Sequence, residues 1–281
     1  MIRTLGVIGA GTMGNGIAHA AARSGLNVVL YDLEDRFLDR ALSTITKNLD
    51  REVAKNKMTP DDKIATLSRI AAVTQNSALS EADFLIEAVI EDIETKSKVF
   101  QTIDIIARPD VILASNTSSI SITKIASKTK RPDRVIGMHF MNPVPMITLV
   151  EVVRGLATSD ATCKITKELA QLMGKTPIEV NDFPGFVSNR VLMPMINEAI
   201  YCVMEGVGTV EAIDSIMKLG MNHPMGPLAL GDLIGLDVCL DIMQVMHSGL
   251  GDSKYRPCPL LMKMVDAGNL GRKSGRGFYI Y

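Results

Sequence analysis

Glycines 9, 11 and 14 follow directly on the apolar run Leu5, Val7 and Ile8, and this junction restricts the chain more than any other stretch. An apolar run that breaks at once into glycine predicts a buried strand, a tight turn and a helix. A second apolar run, residues 28–31, ends in Asp32, 18 residues beyond Gly14. In a dinucleotide site each part has a task. Gly9 allows the turn, Gly11 lets backbone approach a pyrophosphate, and Gly14 lets the helix pack against the strand. The helix N-terminus, with Thr12 and Met13 in its first turn, offers free N–H groups to the phosphates. An acid ending the second strand accepts adenosine ribose hydroxyls and repels a 2′-phosphate, so the expected cofactor is NAD rather than NADP. Glycine turns alone also serve purely structural ends. Here a strand, a helix, a second strand and a terminal acid coincide, which favours the cofactor reading.

The chain has 281 residues, enough for a large core and two domains. Its 30 basic and 31 acidic side chains leave a net charge of −1, so no global field for nucleic acid or an anionic membrane exists. Any attraction for an anionic substrate must be local. Cys163, Cys202, Cys239 and Cys258 lie far apart without metal-ligand spacing, and are expected to be reduced thiols with no metal. The first strand starts within five residues of Met1 and no long uncharged apolar run occurs. A soluble, cytoplasmic protein is therefore expected.

Beyond residue 33 the apolar period changes to that of a helix, with Phe37, Ala41, Ile45, Leu49 and Val53 four apart. Thr59-Pro60-Asp61 predicts a second helix start, with Ile64 and Leu67 facing inward. The two form a helical hairpin inserted into the sheet domain, and its tip carries Lys47, Arg51, Lys55 and Lys57. These are either an ordinary solvated face or a clamp for an anionic substrate tail. Strands are predicted at 70–74, 84–89, 111–114, 134–140, 149–153 and 177–180, and helices at 93–107 and 160–173. Glu87 and Glu91 bracket the end of one strand, and a run of small polar residues, Ser115 to Ser119, follows another. Both lie at the edge where an open parallel sheet gathers cofactor contacts.

His139 ends an apolar strand that Asn142-Pro143-Val144-Pro145 stops, and Glu151 interrupts the next. A charge inside an apolar strand is costly unless paired, and a turn through the two prolines lays these strands side by side. A lone histidine in a strand is more often a satisfied core group. The carboxylate partner and the cofactor edge favour an acid/base role instead. After residues 181–185 the alternation of strand and helix ends and the pattern becomes wholly helical. Domains are therefore expected at 1–183 and 184–281. A helix apolar nearly all round needs other helices or a second subunit to cover it, so homodimerisation through the C-terminal domain is expected.

The blocks VIGAGTMGNGIA (7–18), ASNTSSISIT (114–123), GMHFMNPVPMITLVEVV (137–153), DFPGFVSNR (182–190), HPMGPLALGDLIGLD (223–237) and GRKSGRGFYIY (271–281) together resemble the L-3-hydroxyacyl-CoA dehydrogenase family, most closely its bacterial 3-hydroxybutyryl-CoA members. The resemblance implies an α/β Rossmann-type doubly wound sheet with an inserted helical hairpin, followed by an all-α domain. It implies an NAD-linked oxidoreductase that interconverts a short 3-hydroxyacyl-CoA and a 3-ketoacyl-CoA. His139 would be the acid/base and Glu151 would orient it, with Ser118 and Asn189 as neutral donors to the substrate oxygen. Asp32, Glu91, Lys96, Ser118, Asn142 and Lys273 fall where the family contacts the cofactor, and the hairpin, through Arg51 and Lys55, would meet the CoA phosphates. Phosphogluconate-type dehydrogenases, which use a lysine, fit the His139 and Glu151 pair poorly. A CoA-independent hydroxy-sugar-acid dehydrogenase of the same fold and a non-catalytic NAD-binding protein are the remaining alternatives.

Overall fold

The structure, a computed structural model, describes residues 2–281 and divides into two compact units, one ending at Asp182 and the other beginning at Phe183. The N-terminal unit is an eight-stranded sheet formed by β1 (Thr4–Ile8), β2 (Asn27–Tyr31), β3 (Ile70–Val73), β4 (Phe84–Glu87), β5 (Ile112–Ser115), β6 (Val135–Phe140), β7 (Leu149–Arg154) and β8 (Thr176–Asn181). Their spatial order is β3-β2-β1-β4-β5-β6-β7-β8. Strands β1 to β6 run parallel, whereas β7 is antiparallel to β6. The chain winds outward in both directions from the β1–β4 junction, which is the switch point where such sheets open a crevice at their carboxyl ends. The central strands are apolar runs because helices cover both faces. Pro177 is tolerated because β8 is an edge strand.

Helices α1 (Thr12–Arg23), α2 (Asp35–Ala54), α3 (Pro60–Ser68), α4 (Ile93–Ile106), α5 (Ile122–Ala126) and α6 (Asp160–Leu172) complete this unit. The stripe Leu38, Ala41, Ile45 and Leu49 of α2 is buried, and each of its larger side chains contributes about 1.5–3 kcal/mol through burial. Helix α3 opens on Pro60 behind a capping box in which Thr59 and Asp62 exchange hydrogen bonds. Two members of the expected hairpin stripe lie elsewhere. Ile64 is exposed, with Thr66 buried in its stead, and Phe37 is partly exposed beneath the Arg36 guanidinium. A nine-residue helix needs only one inward face, and that of α3 keeps the expected Leu67, which packs on the core, but takes Thr66 beside it rather than Ile64. Helix α5, which no periodicity announced, is capped by Asp182. That carboxylate accepts hydrogen bonds from Ser121 Oγ (2.8 Å), the Ile122 amide (3.1 Å) and the Thr123 amide (2.8 Å).

The C-terminal unit contains α7 (Ser188–Met204), α8 (Val210–Gly220), α9 (Pro227–Ile234), α10 (Leu236–Leu250) and α11 (Pro259–Asp266). Its core gathers Met193, Ile196, Ile200, Leu228, Leu236, Met243 and Met246. The last fifteen residues depart from the wholly helical expectation and form bridged turns instead. Buried Asp232 holds them, accepting from the Phe278 and Tyr279 amides at 3.0 and 2.9 Å. No described helix is long and apolar enough to cross a membrane.

Candidate active site

The glycine turn is built by steric necessity. Gly9 has φ of +100°, and a Cβ there would stand 2.7 Å from the Ala88 carbonyl oxygen. A Cβ on Gly14 would lie 1.7 Å from the Gly9 carbonyl oxygen, so any side chain would force α1 away from β1. Gly11 is different, because a Cβ there would meet no atom of the described residues within 4 Å. The space over the start of α1 is open, and no side chain caps the first turn that carries Thr12 and Met13. These amides are set to receive an anion, which is what a dinucleotide pyrophosphate requires. Asp32 completes the cradle. Its carboxylate accepts from the Ala10 amide at 2.7 Å, tying the end of β2 to the turn, and from the Leu33 amide at 2.7 Å. The residues fit a dinucleotide.

Next to the switch point, Glu91 gathers the loop that follows β5. One of its oxygens accepts from Thr117 Oγ1 at 2.6 Å, the Ser118 amide at 2.9 Å and Ser119 Oγ at 3.0 Å. Burial pushes the Glu91 carboxyl up, but the Lys96 ammonium and these donors outweigh it and hold its pKa below the usual value. Lys96 is itself buried, with its Nζ 2.6 Å from Glu87 and 3.4 Å from Glu91. Glu91, Lys96 and Ser118 are thus brought together at one strand edge. Asn142 is exposed at the end of β6, in the turn of residues 141–148. That turn is tied down from within by buried Lys175, whose Nζ donates to the Val144 and Ile147 carbonyls.

His139 and Glu151 are direct partners in the β6–β7 register. His139 Nδ1 lies 2.8 Å from Glu151 Oε2, and the side chains are 9% and 4% exposed. The antiparallel turn through Pro143 and Pro145 is what makes residues twelve apart in sequence face one another. With Nδ1 engaged by a carboxylate, the tautomer that leaves Nε2 as proton acceptor is favoured. A ring held in this way can take up or give a proton at Nε2.

The hairpin brings Arg51 and Lys55 to a cavity of about 600 Å³, with Arg23, Lys57, Pro143 and Pro145 among its other walls. Between the cations stands Glu52, paired with Arg23 at 3.0 Å. Two expected residues belong to the C-terminal unit. Asn189 is buried in the first turn of α7, and Lys273 lies 2.5 Å from the Asp237 carboxylate in the last turns of the chain. Sequence reasoning passed over His19, which is fully buried on α1 and borders the hairpin cavity. Nothing in an alanine-rich helix face marked it out.

Two family models match the chain. Residues 4–183 match the 3-hydroxyacyl-CoA dehydrogenase, NAD binding domain, and residues 185–281 match the 3-hydroxyacyl-CoA dehydrogenase, C-terminal domain. A probable 3-hydroxybutyryl-CoA dehydrogenase of Bacillus subtilis is 59% identical, over 100% of this chain and 98% of that one. The 3-hydroxybutyryl-CoA dehydrogenase of Bradyrhizobium diazoefficiens is 56% identical over 100% and 96%. Among solved structures, the (S)-3-hydroxybutyryl-CoA dehydrogenase of Ralstonia eutropha superposes with a TM-score of 0.98 at 52% identity, covering 100% of this chain and 99% of that one.

Proposed function

The chain belongs to the 3-hydroxyacyl-CoA dehydrogenase family, an NAD-dependent oxidoreductase, and from that premise we propose that it interconverts (S)-3-hydroxybutyryl-CoA and acetoacetyl-CoA with His139 and Glu151 as its acid/base pair. NAD, when bound, accepts or supplies the hydride. The observation that carries the reading is the 2.8 Å contact between a buried imidazole and a buried carboxylate at the end of β6.

In oxidation His139 takes the hydroxyl proton as the C–H bond breaks, and in reduction it returns that proton to the ketone oxygen. Each direction passes through an imidazolium, whose charge Glu151 offsets at hydrogen-bond distance. Ser118 and Asn189 serve as neutral donors that polarise the same oxygen. Gly9, Gly11, Gly14 and the first turn of α1 hold the pyrophosphate and Asp32 holds the adenosine ribose. Glu91, Lys96, Ser118, Asn142 and Lys273 complete the cofactor's surroundings. Arg51 and Lys55 take the CoA phosphates at the hairpin cavity, so residues 1–183 bind cofactor and CoA while 184–281 supply substrate contacts and the dimer interface. Exposed Val191, Ile216, Leu219 and Met221 on the C-terminal unit favour such an interface, which sedimentation of the full chain tests.

One assay decides among the substrate classes. NADH oxidation is followed with acetoacetyl-CoA, then with acetoacetate and with an L-gulonate-type acid. Turnover of the thioester is the expected result. Activity confined to the free acids would remove the CoA reading, and activity on none would favour a non-catalytic NAD-binding protein.

A further inference from the structure

Glu87 has no place in the catalytic scheme, yet it is a fully buried acid at the carboxyl end of β4, beside the sheet's switch point. Its register partner on β1 is Ile8, the residue before the glycine turn. One carboxylate oxygen accepts from Lys96 Nζ at 2.6 Å and from the Val89 amide at 2.7 Å. The other accepts from buried Ser115 Oγ at 2.6 Å. Lys96 then reaches Glu91, which organises the Ser118 loop.

A tie between β4, α4 and β5 would need only one carboxylate for the one ammonium. The second leaves the cluster with a formal excess of one negative charge, at a crevice where a dinucleotide already brings an anionic pyrophosphate. A negative excess so placed, with Glu87 and Lys96 buried and Glu91 partly exposed, is unfavourable toward an anion and favourable toward a cation. Among the groups of the cofactor, only the oxidised nicotinamide ring is cationic, and hydride addition makes it neutral.

We propose that Glu87 is a positioning and selectivity residue that, through Lys96 and Glu91, biases the site toward the oxidised, cationic ring of NAD over the neutral ring of NADH. The inference rests on the family's cofactor and on the proposed role of Ser118 at the reacting oxygen, since hydride transfer requires the nicotinamide to lie beside that oxygen's carbon. Its signature is that the bias follows the formal charge of the cluster, whatever a substitution does to local packing.

The test measures dissociation constants for NADH, by its fluorescence on binding, and for NAD, by competition, in the full chain. The formal charge is −1 in the native cluster, 0 in Glu87→Gln, −2 in Lys96→Met, and −1 again in the double variant. The ratio Kd(NAD)/Kd(NADH) is expected to rise about fivefold in Glu87→Gln, the scale of one unit charge acting across several ångströms of partly solvated protein. It should fall by a similar factor in Lys96→Met and return to within twofold of native in the double variant. Should Glu87→Gln fail to fold, Lys96→Met carries the test with the opposite sign. A ratio that stays put while both constants move together would overturn the inference and leave Glu87 a structural tie. Absence of NADH binding by the native chain would instead remove the cofactor reading and this inference with it.

Discussion

His139 owes its usefulness to a single register match. On β6 it faces Glu151 of β7, and a slip of either strand by one residue would send one of the two side chains to the opposite face. Replacing His139 by alanine would remove the proposed proton acceptor and leave the glycine turn and Asp32 untouched. The kcat is expected to fall by at least about two decades while NADH binding stays within a few-fold. A variant that keeps most of its rate would end the acid/base assignment. Glu151→Gln keeps the shape and one hydrogen bond but gives up the charge that offsets the imidazolium, so its loss should fall on kcat rather than on cofactor affinity. Asp32 acts at a different atom. Its bond to the Ala10 amide fixes the carboxylate beside the glycine turn, where the proposed ribose contact would be made, so Asp32→Ala should weaken NAD binding and relax the discrimination against NADP. Titration of both nucleotides checks this, and an unchanged preference would move selectivity to neighbours such as Arg36.

At the scale of elements, the hairpin of α2 and α3 separates what holds the fold from the cations proposed to meet CoA. The inner stripe of α2 is fixed in the core, whereas Arg51 on its last turn and Lys55 at its C-cap line the hairpin cavity. Single replacement of either cation by alanine should raise the KM for acetoacetyl-CoA about two- to fivefold, as expected for one exposed charge contact, with kcat unchanged and the effect fading at high salt. Steady-state assays at two ionic strengths decide it. Equal effects on a substrate without CoA would place the cations elsewhere in the reaction. The sheet was legible in the sequence because parallel central strands, covered on both faces, must be continuous apolar runs, as FLIE of β4 and ILAS of β5 nearly are. The neighbouring of His139 and Glu151 was legible because a buried acid in an apolar strand requires a partner. Other features depend on distant residues and left no local trace. Helix α5 is five residues long, and beyond its Ser121 cap the remaining free amides of its first turn are held by Asp182, some sixty positions away. Ile64 is apolar and exposed because the face of a short helix is chosen by what it packs on. The Glu87 and Lys96 pair spans nine positions, a spacing that marks no shared face of a single strand or helix.

For the molecule as a whole, the response to acid follows from a group outside the catalytic scheme. His19 is fully buried on α1, and neither ring nitrogen has a hydrogen-bond partner among the described residues. Burial, reinforced by the Arg23 and Lys175 charges, lowers its pKa from 6.5 to about 4, although Glu52 stands 3.9 Å from Nε2. Desolvation therefore outweighs the one attractive carboxylate, which Arg23 already engages. A depressed folded-state pKa means that the unfolded chain binds a proton first as pH falls. The stabilisation tied to a neutral His19 is complete above about 6.5 and is lost progressively as the pH drops toward about 4. Between pH 7 and pH 5 the N-terminal unit is expected to lose about 2 kcal/mol from this group alone. Glu91, whose pKa is also lowered, acts in the same direction but below its ordinary value of 4.5, so the span from pH 7 to pH 5 belongs chiefly to His19. Urea unfolding at pH 7 and pH 5, followed for the native chain and for His19→Gln, isolates the histidine. The native midpoint should fall between the two pH values and the variant's should hold nearly level. A variant that keeps the full slope would show that acid sensitivity resides in other groups and that His19 meets its protons in the folded state as readily as in the unfolded one.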